Sequence, residues 1–197
     1  MRTLLMTALC SVELLAAGQQ MNVAVCNLDG VSEPIVAKAK AETDLVFRSA
    51  GVTIVWRDCD TFPTPAELER DPWFIVRLRT GKPPLTAGPA SLDVMGKAFV
   101  EDHGGGTMAD AYFQAIQARS EQHNGDSGLL LGFVMAHELG HLLLGPGHTP
   151  KGVMQAAWGQ RQITDALRQR WLRFTEEGAA RVRRALESRT ASDAGGK

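Results

Sequence analysis

The sequence predicts an α+β fold: a twisted mixed sheet with a β-α-β start, a long apolar helix carrying histidines, and a small helical C-terminal part. Three observations point to it. Short runs rich in β-branched and apolar residues recur at 21–28, 52–59, 73–80 and 94–102, the pattern of strands. A capped helical stretch separates the first two, which makes them parallel and joined by a right-handed crossover. Beyond residue 125 the pattern is helical, and glycine and proline break it at 145–147. With 197 residues, 44% of them apolar, the chain suits one domain with a real core.

The chain opens on MRTLLMTALCSVELLAAGQQ. Arg2 precedes an apolar run to Ala17, and Ala16, Ala17 and Gly18 are small enough for a cleavage site. Residues 1–18 therefore read as a secretory signal peptide. Glu13 inside the run keeps an ordinary first helix as the alternative. The first reading makes the protein secreted or periplasmic, and the second leaves it cytoplasmic. Without the leader two cysteines remain, Cys26 and Cys59. They either pair in an oxidising compartment or sit as buried free thiols.

MNVAVCNL (21–28) is the first strand. Ser32 as a cap, Pro34 at an early position and Gly51 as a stop bound a helix, with Ile35, Ala39, Leu45 and Val46 near one face. VTIVWRDC (52–59) is the second strand, TFPTPAELERDP a loop with one helical turn, and WFIVRLRT (73–80) the third strand. GKPPLTAGPASLD reads as a surface loop. VMGKAFVED (94–102) is the fourth strand, and Gly96 within it marks an edge or a close backbone approach. HGGGT is a turn, and MADAYFQAIQARSEQ reads as strand at its start and helix at its end. Asp126 or Ser127 caps a helix to Leu144, which Gly145, Pro146 and Gly147 end. Thr164 caps DALRQRWLRF, Thr175 caps EEGAARVRRALESR, and 191–197 reads as a disordered tail. The domain is thus 19–190.

The stretch HELGHLLLGPGH (137–148) holds three of the five histidines. His137 and His141 are four apart, so a helix places both on one face, one turn apart. Two imidazoles so placed can reach one zinc ion. Glu138 projects about 100° around from His137, flanking the ion where it can act as a general base. Gly140 removes bulk at the back of the helix at a cost of about 1 kcal/mol relative to alanine, which close packing beneath it would offset. A catalytic zinc usually has three protein ligands and one open position. His148 is the nearest third candidate, since the helix ends at Gly145 and the chain can turn back there. Gly145 and Gly147 supply the dihedrals for that turn.

These residues resemble the metzincins, zinc metallopeptidases with the motif H-E-x-x-H-x-x-G-x-x-H and a later methionine turn. His137, Glu138 and His141 match outright, whereas Gly145 and His148 match with one residue inserted after His141. The resemblance implies a metzincin-like (zincin) fold of the matrixin-like or archaemetzincin-like kind, with an upper part at 19–145 and a lower part at 146–190. It implies Zn2+ held by His137, His141 and His148, with Glu138 catalytic. Met154, in KGVMQ, would be the methionine-turn residue forming an apolar floor below the metal. It also implies a peptide or protein substrate, aligned by an edge strand (94–102) and hydrolysed through a zinc-bound water. A second group of zinc peptidases, the gluzincins, takes its third ligand from a glutamate on a later helix, and Glu176 and Glu177 stand where that scheme needs them. The remaining alternative is a zinc-binding or partner-binding module without catalysis.

Other residues carry weaker signals. His103 reads as a turn residue, His123 as a solvated loop residue, and Tyr112 as core or edge strand, with assistance to an oxyanion as the alternative. Trp158 either lines a substrate pocket or packs the lower part. Cys10 falls in the leader and is not assigned to zinc. The 21 basic and 22 acidic residues give a net charge of −1, so nothing in the charge indicates a nucleic-acid partner. No membrane span is read: the apolar run 129–144 contains His137, Glu138 and His141, which are costly in lipid.

Overall fold

Parallel pairing of the first two strands positions everything else. A computed structural model describes residues 18–60, 64, 66–67, 72–81, 94–101, 105–169 and 171–195. The leader up to residue 17, the loop at 82–93 and His103 lie outside the described residues. The strands are β1 (Gln19–Asn27), β2 (Val52–Asp58), β3 (Trp73–Arg79), β4 (Gly96–Phe99) and β5 (Met108–Tyr112). The helices are α1 (Glu33–Arg48), α2 (Phe113–Gln122), α3 (Ser127–Leu144), α4 (Gln160–Gln169) and α5 (Glu176–Gly195). The sheet order is β2-β1-β3-β5-β4. The first four strands in that order run parallel, and β4 lies antiparallel to β5 at one edge. This is the α+β architecture that the sequence predicts.

Residues 21–26 of β1 are all buried, as expected of a parallel strand with neighbours on both sides. β3 alternates instead: Phe74, Val76 and Leu78 face the core, while Arg77 on the other face pairs with Asp110 of β5 through two contacts of 2.6 and 3.0 Å. The fourth strand is shorter than its sequence run, confined to Gly96–Phe99. The stretch from Met108 divides as read, strand to Tyr112 and helix from Phe113. In α1 the buried set is Val36, Ala39, Glu42, Thr43, Val46 and Phe47. Leu45 is exposed, because it stands about 120° around the helix from Ala39. Thr64 and Glu67 cap each other's backbone N–H groups, which accounts for the helical turn in that loop.

Three C-terminal expectations change. Helix α4 begins at Gln160, not after Thr164. Its start is capped at Gly159, whose N–H donates to the Gln162 side chain at 2.9 Å, while Thr164 sits inside the helix and donates to the Gln160 carbonyl. It ends at Gln169, and Trp171 is exposed. Thr175 does cap α5, accepting from the Gly178 N–H at 3.1 Å. That helix runs on to Gly195, through most of the segment read as a disordered tail.

Helix α3 is the centre of the core. The Asp126 side chain caps it, accepting from the N–H groups of Gly128 and Leu129. Its apolar residues are spread around the whole circumference, the mark of a helix surrounded by protein. By length and composition it could cross a membrane, yet 78% of it is buried inside the fold, against α1, α2, α5 and the sheet. Glu42 on α1, fully buried, pairs with Arg173 at 3.0 Å, tying α1 to the segment that precedes α5.

Cys26 and Cys59 form a disulfide between the ends of neighbouring β1 and β2. It closes a loop with a sequence separation of 33 that contains all of α1. A loop of that size implies about 3–4 kcal/mol of stabilisation from restricting the unfolded chain. The double variant Cys26→Ala/Cys59→Ala should lose that amount in denaturant unfolding. A change below about 1 kcal/mol would show that the bridge contributes little to the fold.

Candidate metal centre

His137, Glu138 and His141 occupy the last two turns of α3. The helix stops because Gly145 takes φ 84° and ψ −171°, a backbone region open essentially to glycine alone. Its N–H still closes the final turn on the His141 carbonyl at 2.8 Å. Its own carbonyl turns back and accepts from His141 Nδ1 at 2.9 Å. Gly147, expected to share this role, does not adopt a positive φ. The single glycine at the break suffices to reverse the chain and bring His148 to the other two histidines.

The three side chains converge. His141 Nε2 lies 3.0 Å from His137 Nε2 and 3.2 Å from His148 Nε2. The Val153 carbonyl accepts from His137 Nδ1 at 2.7 Å. With the protons of His137 and His141 held at Nδ1, their Nε2 lone pairs face each other with no proton between them. That arrangement is repulsive by itself and becomes attractive around a cation. Carbonyl groups that hold the far ring nitrogens are also what orients imidazole ligands in metal sites. The donor set therefore fits one metal ion. Among the described residues, His137, His141 and His148 form a group whose ligand atoms lie within 4.8 Å of one another. Glu176 and Glu177 are not in it; they are exposed in the first turn of α5.

Burial disfavours charge on His137, His141 and Glu138. It pushes the His137 imidazole down to about 4, only partly offset by the Val153 bond. His141 is lowered for the same reason. Glu138, 6% exposed, is pushed up to about 8 by burial, with its bond to the Ala98 backbone pulling the other way. A carboxyl with this shift, beside three histidines in a cavity, carries the signature of a functional group.

Strand β4 makes room for Glu138. A Cβ at Gly96 would stand 2.5 Å from Glu138 Oε1 and 2.7 Å from its Cγ. The close backbone approach read at Gly96 is thus an approach to Glu138. On the β5 side, the Tyr112 N–H donates to the Met95 carbonyl. Antiparallel alternation then turns the N–H and C=O groups of Gly96 and Ala98 outward, toward α3 and open space.

Met154 packs from below. It is 2% exposed, and a Cβ at Gly140 would stand 2.3 Å from its Sδ and 3.3 Å from Phe174 Cε1. The glycine in the middle of the motif is therefore where Met154 packs closest against the helix. Thr149 N–H donates to the Met154 carbonyl, and Val153 N–H to that of Arg173, which pins the methionine segment under the helix. Gly140→Ala should lower stability by about 1–3 kcal/mol through overpacking, read as a lower midpoint in denaturant. An unchanged midpoint would mean that Met154 moves aside freely.

A cavity of about 510 Å³ opens beside the histidines, between β4 and the segment 155–158. Trp158 lines it with its ring edge-on to His137 at 5.6 Å and also packs against the core. Tyr112 is buried at the end of β5, as core. His123 is not a solvated loop residue. Its Nδ1 meets Thr164 Oγ1 at 2.9 Å, joining the end of α2 to α4, and its Nε2 is buried. Sequence patterns did not reveal the carbonyls of Val153 and Gly145 or the Ala98 backbone, because backbone groups leave no residue signal. Arg119, on α2, also lines the cavity without any motif to announce it.

The fold has solved counterparts. Archaemetzincin from Methanopyrus kandleri superposes with a TM-score of 0.53 at 17% identity, over 88% of this chain and 99% of that one. Metalloproteinase-II from Bacteroides fragilis gives 0.48 at 13% identity, over 86% of this chain and 54% of that one. No family model matches the sequence, and no curated protein does. The fold of this chain is similar to that of archaemetzincin.

Proposed function

We propose that this chain, built on an archaemetzincin-like fold, is a zinc-dependent metalloendopeptidase. The observation that carries the reading is the convergence of three imidazole Nε2 atoms beside a buried glutamate, in a cavity flanked by an antiparallel edge strand. Zinc ligands at about 2.0–2.1 Å in a tetrahedron stand about 3.3 Å from each other. The Nε2 separations of 3.0 and 3.2 Å match that spacing. His137, His141 and His148 would hold the ion beside the cavity they line.

When bound, zinc supplies Lewis acidity, polarising the scissile carbonyl and lowering the pKa of a water to about 7. The protein supplies the remainder. Glu138 ionises when a positive charge stands beside it, accepts a proton from the attacking water, and returns it to the leaving amine. The Ala98 N–H and the absent side chain of Gly96 hold its carboxyl in place. The outward backbone of Gly96 offers an extended peptide a strand to pair with. Met154 supports the helix turn that carries both ligands. The Cys26–Cys59 bridge favours an oxidising compartment, in keeping with export of the chain.

The test is metal analysis combined with a general peptidase assay on the wild-type chain. About one zinc per chain with peptide hydrolysis is expected, and activity should disappear on chelation. Zinc without hydrolysis across a mixed peptide library would favour a binding module on the same fold.

A further inference from the structure

We propose that Arg189, on α5, is a positioning residue of the histidine site. Its guanidinium clamps the last turn of α3 to the backbone just before β5, and so sets the ligand helix against the edge strand. This role rests on reading the three histidines as zinc ligands.

The sequence creates the need for it. In an α-helix each carbonyl bonds the N–H four residues on, and the last four carbonyls lack such partners. In α3 the His141 carbonyl still finds the Gly145 N–H. The Leu142 carbonyl would need the N–H of residue 146, which is proline and has none. Leu142 is fully buried, so water does not replace the missing donor. A buried carbonyl left without a donor is costly. Arg189 supplies the donor from 47 residues along the chain: its Nη2–H donates to the Leu142 carbonyl at 2.6 Å. A cation there also suits the negative end of the helix dipole.

The same guanidinium holds a second element. Its Nη1–H donates to the Gly106 carbonyl at 3.3 Å. Gly106 is wedged between β4 and α3: a Cβ there would stand 2.3 Å from the Phe99 carbonyl oxygen and 2.9 Å from Leu142 Cδ2. Phe99 ends β4, the strand whose Gly96 lies against Glu138. The guanidinium lies over the buried Phe74 ring, with Cζ 5.1 Å from its centroid. A planar fork of donors thus spans the two elements at a fixed separation. The turn it closes carries His141 and leads through Gly145 to His148. Without Arg189 that turn loses its hold on β4 and β5. The Nε2 spacings of 3.0 and 3.2 Å depend on where it sits.

The same helix provides a control. Arg183 donates to the Ala50 carbonyl at 2.8 Å, a bond of the same kind made next to β2, which carries no residue of the site. Arg189→Met and Arg183→Met are compared with wild type. Zinc affinity is read by chelator competition, and coordination geometry by the visible absorption bands of the cobalt-loaded proteins. In Arg189→Met zinc affinity should fall about tenfold, the scale of groups that orient ligands, and the cobalt bands should shift. Arg183→Met should keep wild-type values of both, even where its thermal midpoint drops. In the metal-free proteins, the α-carbon chemical shifts of Leu142, Leu143 and Leu144 should move toward coil values in Arg189→Met alone. Arg189→Lys keeps the charge without the fork, and it should recover part of the affinity. If Arg189→Met does not fold, Arg189→Lys takes its place, with weaker zinc binding and shifted bands expected. Wild-type zinc affinity and cobalt bands in the folded Arg189 variant, or an equal loss in Arg183→Met, overturn the proposal. Zinc bound by the wild type without peptide hydrolysis removes the peptidase reading and leaves the role of Arg189. No zinc bound by the wild type removes the metal reading and reduces Arg189 to a helix cap.

Discussion

Zinc-loaded Glu138→Gln protein is expected to hydrolyse peptides about 10²–10⁴-fold more slowly than wild type, the usual contribution of a positioned general base. Its metal content and thermal midpoint should stay close to those of wild type. The reason lies in what the substitution keeps. Glutamine has the same length and shape, so it occupies the space that Gly96 leaves open. Its amide oxygen can still accept from the Ala98 backbone, the bond Glu138 makes now. What it lacks is the capacity to take a proton from water. No zinc ligand is touched, so a loss of turnover isolates proton transfer. Matched kcat/KM and zinc stoichiometry on the two proteins decide the point. Full activity in the variant would remove Glu138 from the chemistry.

The second large effect concerns the third ligand. His148→Ala should weaken zinc binding by more than about 100-fold, beyond the 10–100-fold typical of groups that only orient ligands. Glu176→Ala and Glu177→Ala should leave affinity unchanged, since both residues are exposed on α5 and stand outside the histidine group. Competition against a chromophoric chelator gives all three affinities. Stability offers a second readout. A metal held at 100 times its Kd stabilises the folded state by about 2.7 kcal/mol. The thermal shift on adding zinc should therefore shrink in His148→Ala and persist in both glutamate variants. Zinc retained by His148→Ala but lost with Glu176 or Glu177 would restore the scheme with a glutamate ligand.

How much of this was legible in the residues varies by element. The β-α-β start was clear because apolar strands, a Pro-led helix and Gly51 all agree. The pair on α3 was clear because a four-residue spacing maps directly to one helical face. The inserted residue left His148 open, since spacing alone does not say where a chain points after a helix break. Gly145 supplies the answer in a dihedral, φ 84°, that the letter G permits and does not specify. Helix α4 was misplaced because Thr164 is a good cap by type, while the cap in use is Gly159 with Gln162. Leu45 was assigned to a buried face, and the fully buried Glu42 was overlooked in its place. Its pairing with Arg173 comes from 131 residues away in the chain. The cavity could not be read at all, as it is assembled from β4, α2, α3 and the segment 155–158.

The grip of Gly145 on His141 has a kinetic meaning. One residue closes the last helical turn with its N–H and holds the His141 ring with its carbonyl. Fraying of that turn would break both bonds at once and swing His148 away with the chain that follows. On the proposed reading, the residence time of the metal would follow the opening rate of a single helical turn. The Gly145 amide becomes its reporter: slow to exchange with solvent deuterium when the ion is held, and fast when it has left.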